Sequence, residues 1–170
     1  MQPEDDVWYT WTKDVTAPPA PINQTISANS GRLELSWNNG GTDITLNKGG
    51  YVVIRRQNTA VTYTPSTSAP LQPSDLNTDL GSGQTLVHFV DHNAGFSQST
   101  PYLFNDTNVT PDTTYHYAIY GFDGAYNYST KVALSGTVPT PNYISGFLTI
   151  KAGYDHTCGI TEDGSAWCWG

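Results

Sequence analysis

The strongest constraint on the fold is a series of short strand-like segments separated by turn residues. In Arg32–Trp37 the apolar side chains of Leu33, Leu35 and Trp37 occupy every second position, as in a strand with one buried face. Further strand-like segments lie at residues 51–56, 86–90, 102–104, 114–122 and 131–138, with Gly, Asn, Asp and Pro between them. No window has sustained helical periodicity. The chain is therefore predicted to be all-β, with its antiparallel strands forming a sandwich or barrel.

Several segments in and around these strands resemble a fibronectin type III domain. They are Pro18-Pro-Ala-Pro21, the strand that contains Trp37, Gly50-Tyr-Val-Val53, and Val109-Thr-Pro-Asp-Thr-Thr-Tyr115 with Tyr117 and Ile119 after it. The resemblance spans residues 16–138 and is to a subtype found in tandem in large secreted bacterial proteins. It implies a fibronectin type III-like β-sandwich with Trp37 as its core tryptophan. It also implies that Tyr115 is a corner tyrosine, whose hydroxyl bonds to nearby backbone.

The middle of this predicted domain contains an insertion and an unusual pair of strands. Residues 16–138 exceed the ~100 residues of a simple sandwich, and the surplus lies at about 58–100, which is rich in Thr, Ser and Pro. The central strands are apolar on both faces, so Val52, Ile54, Tyr120 and Phe122 point away from the sandwich core. We favour an insertion that folds over this second face and contains a strand at Leu86–Val90. The alternative is that these four residues form a partner-binding face.

The end of the chain predicts a β-hairpin with a cysteine on each arm. Asp163-Gly164 is a strong turn signal, and a three-residue loop at 162–164 pairs Cys158 with Cys168. Directly opposed cysteines at a non-hydrogen-bonded position suit a disulfide. His156 shares their face, which leaves zinc as a rival interpretation, although structural zinc takes four ligands and no fourth is evident nearby. Free thiols are the third alternative, and we favour the disulfide.

The hairpin resembles the start of a regulator-of-chromosome-condensation-type propeller repeat, in its bacterial secreted form. The residues that carry the likeness are His156-Thr-Cys-Gly-Ile-Thr-Glu-Asp-Gly-Ser-Ala-Trp-Cys-Trp169. By this resemblance the chain stops partway through a repeat and is a piece of a longer modular protein. The expected organisation is an N-terminal segment and linker at 1–15, the sandwich domain at 16–138, and a linker with the partial repeat at 139–170.

Composition and charge exclude some functions. The chain has 15 acidic and 7 basic residues and a formal charge of −8, whereas nucleic-acid binding depends on a basic surface. No stretch is apolar and long enough for a membrane span. Residues 1–6 lack the features of a signal peptide, so a signal would have to precede them. A disulfide would place the protein in an oxidising compartment, and we expect it to be extracellular or on the cell surface.

The sequence contains no recognisable catalytic set, and we expect no enzymatic activity, cofactor or metal. The predicted function is that of an extracellular interaction or spacer module of a larger secreted or surface bacterial protein. The alternatives are a self-assembling filament subunit and an accessory module of a secreted hydrolase. The expected partner is a protein or a further copy of the chain, with carbohydrate as a weaker alternative. The aromatic residues Trp8, Trp11, Trp167 and Trp169 lie outside the sandwich and are the candidate assembly contacts.

Overall fold

A computed structural model describes residues 13–41, 49–92, 101–140, 147–161 and 164–170. The chain divides into two compact units, Met1–Pro139 and Thr140–Gly170. Among the described residues, the first unit has seven strands: β1 Ile22–Asn29, β2 Arg32–Asn38, β3 Gly50–Gln57, β4 Gln84–Asp91, β5 Tyr102–Asp106, β6 Thr114–Phe122 and β7 Val132–Thr137. The second unit contains β8 Phe147–Ala152, β9 Thr157–Thr161 and β10 Ala166–Trp169. A single 3-10 turn, Pro73–Asp75, interrupts the loop between β3 and β4.

The first unit is a sandwich of two antiparallel sheets. One sheet has the strand order β1-β2-β5 and the other β4-β3-β6-β7. On one side of the sandwich β1 and β7 lie close together. A Cβ atom added to Gly136 on β7 would lie 3.0 Å from the Cδ1 atom of Ile26 on β1. The strands β4 and β5 form the edges on the other side. The predicted all-β sandwich is confirmed.

The core between the sheets is built from alternating side chains. Leu33, Leu35 and Trp37 are buried in it, as their every-second-residue spacing predicts. From the facing sheet come Tyr51, Val53, Tyr117 and Ile119. Tyr115 lies at the edge of this cluster, and its hydroxyl accepts a hydrogen bond of 3.1 Å from the backbone N–H of Thr110. The predicted corner interaction of Tyr115 is therefore present.

The outer face of the four-stranded sheet is covered by the loop between β3 and β4. Val52, Ile54, Tyr120 and Phe122 are all buried there. Val61 and Leu71 from the loop are buried with them, and Tyr63, Leu76 and Leu80 pack against the cluster. Our favoured prediction of a covered face is confirmed, and the alternative of a partner-binding face at these four residues is wrong. The physical reason is that the loop supplies enough apolar side chains to remove the face from water.

The predicted strand at Leu86–Val90 exists but does not belong to the covering segment. As β4 it extends over Gln84–Asp91 and pairs with β3 along its length. It thus completes the seven strands of the sandwich, and the segment that covers the outer face is residues 58–83 rather than about 58–100. Residues 93–100 lie outside the described part of the chain.

The second unit is a three-stranded antiparallel sheet with the order β10-β9-β8. Its two C-terminal strands are the predicted hairpin. The third strand, Phe147–Ala152, lies in a segment that we expected to be linker. Its pairing with β9 extends the hairpin to a three-stranded sheet. A hairpin of two strands alone is only marginally stable in water.

Candidate functional site

The register of the C-terminal hairpin is the one predicted from the three-residue loop. Cys158 is directly opposite Cys168, and their Cα atoms are 4.1 Å apart. The backbone N–H of Thr161 donates to the carbonyl oxygen of Ser165, which leaves residues 162–164 as the loop. Gly164 has a φ of 83°, in the left-handed region that such a loop requires. Glu162 and Asp163 themselves lie outside the described residues.

The two sulfur atoms are bonded to each other, so the alternatives of free thiols and zinc ligands are wrong. The disulfide joins Cys158 to Cys168, and the chain has no free cysteine. His156 then lacks the two thiolates with which it would have shared a metal. Within the described residues, no group of three or more His, Cys, Asp or Glu side chains is placed to hold a metal ion.

One face of this small sheet is apolar and exposed to solvent. Strand pairing places Ile150, Gly159 and Trp167 side by side on one face of the sheet. Trp169 lies on the same face, because it is two residues after Trp167 and pairs with Thr157. The ring of Phe147 lies over Gly159, where a Cβ would collide with it, and its centroid is 5.6 Å from that of Trp169. We call Phe147, Ile150, Trp167 and Trp169 the aromatic face. The disulfide lies on the opposite face of the sheet.

The aromatic face joins two predicted residues to two that sequence reasoning missed. Trp167 and Trp169, predicted as assembly contacts, are 61% and 42% exposed. Phe147 and Ile150 were missed because their strand was not recognised, although three of the four residues at 147–150 are apolar, which was a signal for it. Trp8 and Trp11, the other predicted assembly contacts, lie outside the described residues. Isolated exposed apolar residues are ordinary, but a contiguous exposed set marks a contact surface.

A buried ion pair connects the two sheets of the sandwich. Arg55 on β3 donates from Nη1 to both carboxylate oxygens of Asp106 on β5, at 2.9 and 2.8 Å. The hydroxyl of Tyr117 donates to Oδ2 of the same carboxylate at 2.8 Å. Burial, and then the negative charge of Asp106, raise the pKa of Tyr117 above its usual value. Sequence reasoning missed this cluster, because its three members are far apart along the chain and match no motif.

An aromatic cluster around the start of β3 contains three buried polar atoms that have no hydrogen-bond partner among the described residues. They are Nε1 of Trp37, the hydroxyl of Tyr51 and Nε2 of His88. The ring of Trp37 contacts those of Tyr51 and His88, with centroids 5.7 and 6.2 Å apart. Burial lowers the pKa of His88 to about 4. Each unpaired polar atom costs free energy, which the packing of the aromatic rings in this region has to offset.

The described residues contain no helix of the length and apolar character needed to cross a membrane.

Comparison with known proteins finds similarity for each unit. The model of the family described as "Regulator of chromosome condensation (RCC1) repeat" matches residues 148–170. A comparison with curated proteins found no match. A solved structure described as "Myokine structure" is 12% identical over 72% of this chain and 99% of its own, with a TM-score of 0.46. The fn3 domain of human collagen alpha-1(XX) chain is 13% identical over 78% of this chain and 96% of its own, with a TM-score of 0.45. Neither structural likeness bears on function.

Proposed function

We propose that this chain is a non-enzymatic contact and spacer module of a larger secreted or cell-surface bacterial protein. The observation that carries the proposal is the aromatic face of the second unit. Trp167 and Trp169 lie on a sheet face whose side chains remain in water. Tryptophan is among the residues that contribute most binding free energy when a partner covers them.

The disulfide supports a location outside the cytoplasm. Disulfides persist in oxidising compartments and are rare where cellular thiols keep cysteine reduced. Cys158 and Cys168 are the only cysteines in the chain, and they are joined to each other. Both therefore serve the structure of the second unit rather than redox or metal chemistry.

The spacer role is supported by how the chain enters the sandwich. The residues before β1 include Pro18, Pro19 and Pro21, which restrict the backbone to extended conformations. The side-chain amide of Asn127 donates to the carbonyl oxygen of Asp14 at 3.1 Å. Asn127 is itself held by Asp123, whose carboxylate accepts from both its backbone and its side-chain nitrogen atoms. The residues that enter the sandwich are therefore attached to the loop between β6 and β7, which supports a spacer role.

The partner that fits the aromatic face is a protein, and a second copy of this chain is one candidate. Within the described residues β10 pairs only with β9, so its other edge offers unpaired backbone groups beside the two tryptophans. Exposed edges recruit further strands. This observation favours self-assembly as the second candidate function.

Site-specific cross-linking in the cells that produce the protein tests both candidates. A photoreactive phenylalanine analogue at position 167 should form cross-links to a protein partner or to another copy, and mass spectrometry distinguishes the two products. The matched control carries the analogue at Tyr154, which is fully exposed but lies between the strands β8 and β9. Cross-linking at position 167 no stronger than at position 154 would contradict a contact function.

Sedimentation of the purified chain separates self-assembly from binding to a different protein. A self-assembling chain gives larger species as its concentration rises, and Trp167→Ser with Trp169→Ser should return it to a monomer. Tyr154→Ser is the control and should leave the distribution unchanged. A monomer at every concentration excludes the filament alternative and leaves a different protein as the partner.

A further inference from the structure

A polar pocket opens between the edge strands β4 and β5 of the sandwich. Its volume is about 160 Å³. One wall is apolar and consists of Val87 from β4 and Phe104 from β5, both of which pack against the core. The remaining walls are polar and include Arg55, Asn77 and Asn108. The pocket lies in the first unit and is independent of the aromatic face.

Arg55 reaches this pocket with unused hydrogen-bond donors. All the hydrogen bonds that its guanidinium makes within the described residues come from Nη1, to Asp106 and to the carbonyl oxygen of Asn108. The Nε and Nη2 atoms carry three further N–H groups. The ring of Tyr115 lies 5.1 Å from the guanidinium carbon and helps to fix its position. A guanidinium held in this way is a preorganised donor for oxygen atoms.

The charge around the pocket favours a neutral ligand over an anion. Asp106 also lines the pocket, and its carboxylate compensates the positive charge of Arg55 at contact distance. The chain as a whole has a formal charge of −8, which repels anions over longer distances. An uncharged ligand with hydroxyl groups is repelled neither by Asp106 nor by the net negative charge of the chain. Its hydroxyl oxygens can still accept hydrogen bonds from Arg55.

The size and the mixed walls fit a six-membered ring with hydroxyl groups. An engineered cavity of ~150 Å³ encloses benzene, so a pocket of about 160 Å³ that opens to solvent takes one side of a sugar ring and leaves its other hydroxyl groups in water. The carboxamides of Asn77 and Asn108 have both donors and acceptors, which is what hydroxyl groups need. The C–H groups of such a ring would pack against Val87 and Phe104.

We propose that this pocket binds a single neutral sugar ring, such as the terminal residue of a glycan. Arg55 donates to ring hydroxyls, the two asparagine carboxamides complete the hydrogen bonds, and Phe104 contacts the apolar face of the ring. Binding of one small ring gives millimolar affinity, because a ligand of this size contributes few contacts.

Titration of the full chain followed by amide NMR tests the proposal. The probes are the methyl glycosides of glucose, galactose, mannose and N-acetylglucosamine, with acetate and inorganic phosphate as anionic probes. We expect at least one glycoside to shift the amide signals of residues 104–108 with a saturable, millimolar dissociation constant. Shifts caused by the anions alone, or by no probe at all, would overturn the proposal.

A matched pair of variants separates a role in binding from an effect on folding. Asn77 and Asn58 both have positive φ angles, of 64° and 58°, so glycine replaces either one without strain. Only Asn77 lines the pocket. Asn77→Gly should weaken sugar binding about fivefold to tenfold, which corresponds to the loss of one hydrogen bond, and Asn58→Gly should leave it unchanged. Equal affinities in the two variants would also overturn the proposal.

Discussion

Asp106 receives hydrogen bonds from three directions inside the sandwich. Arg55 and Tyr117 donate to it from the facing sheet, and the backbone N–H of Asn108 donates at 3.1 Å. The side chains of Arg55 and Asp106 are only 14% and 4% exposed. A carboxylate at this depth is tolerated because its charge is compensated, and removal of its partner leaves that charge in a poorly solvated position.

Arg55→Met should therefore lower the free energy of unfolding by about 3–5 kcal/mol. Arg32→Met is the matched control, because Arg32 pairs with Glu34 at the surface, with side chains 51% and 35% exposed. An exposed pair contributes about 0–1 kcal/mol. Urea titration of both variants measures the difference, and equal losses would show that the buried pair has no special role.

His88 makes the stability of the first unit depend on pH. Its Nε2 atom is buried and has no hydrogen-bond partner in the described part of the chain, and burial lowers its pKa from 6.5 to about 4. The unfolded chain therefore binds a proton below pH 6.5 that the folded chain binds only near pH 4. The contribution of the neutral His88 ring to the free energy of unfolding is therefore full above pH 6.5. It is lost as the pH falls toward 4.

The expected loss between pH 7 and pH 4 is on the order of 3 kcal/mol, from the difference between the two pKa values. Urea unfolding at a series of pH values measures it. His88→Phe should remove this dependence while keeping a ring next to Phe104, which His88 contacts at a centroid distance of 4.6 Å. His116→Phe is the control. If the His88 variant retained the full acid dependence, other groups would have to cause it.

At the scale of elements, Gln84 holds the start of the covering segment in place. Its Oε1 atom accepts hydrogen bonds of 2.7 Å from the backbone N–H groups of both Thr62 and Tyr63. Its Nε2 atom donates to the carbonyl oxygen of Gly81. The hydroxyl of Tyr120 donates to the carbonyl oxygen of Tyr63 at 2.8 Å. The segment at 58–83 is thus joined to β4 and β6 by side chains as well as by its apolar contacts.

Gln84→Ala should loosen this segment without unfolding the sandwich. The backbone N–H groups of Thr62 and Tyr63 lose their acceptor, at a cost of about 0.5–1.5 kcal/mol for each hydrogen bond. Amide hydrogen exchange should become faster at residues 61–72 and remain unchanged in β2 and β6. Gln57→Ala, at an exposed position, is the control. Unchanged exchange at Thr62 and Tyr63 would contradict this role for Gln84.

The sequence predicted elements with a strong apolar pattern and missed those without one. Alternation identified β2, and the two-sided apolar character of β3 and β6 indicated the covered face. The strand β1 was missed, because Ile22–Asn29 is polar and almost wholly exposed, so it has no alternation to detect. The strand β8 was missed although Phe147, Leu148 and Ile150 are apolar, because its segment was interpreted as linker; it is exposed over most of its length. The polar pocket was missed because it depends on distant residues that the tertiary fold brings together.

At the scale of the whole molecule, the two units depend on different stabilising features. The first has two apolar clusters, one on each side of its four-stranded sheet. The second, where the structure describes it, has three short strands with largely exposed side chains and a disulfide. A disulfide that closes a loop this short contributes about 3 kcal/mol at most, which is large relative to what three exposed strands contribute.

Reduction should therefore unfold the second unit selectively. We expect a reductant to accelerate amide exchange throughout β8, β9 and β10 and to leave β1–β7 unaffected, since the first unit has no cysteine. The double variant Cys158→Ser with Cys168→Ser should show the same exchange with or without reductant. If reduction destabilised both units equally, they would not be separate folding units.

The strand β6 has a consequence for the order in which the protein folds during synthesis. It supplies Tyr115, Tyr117 and Ile119 to one apolar cluster and Ala118, Tyr120 and Phe122 to the other. A nascent chain that ends before Thr114 has neither cluster complete, although β2, β3 and the covering segment have already been synthesised. Domains usually fold as they leave the ribosome, but this one has to wait for a late strand. Such a delay keeps the chain unfolded for longer during its synthesis.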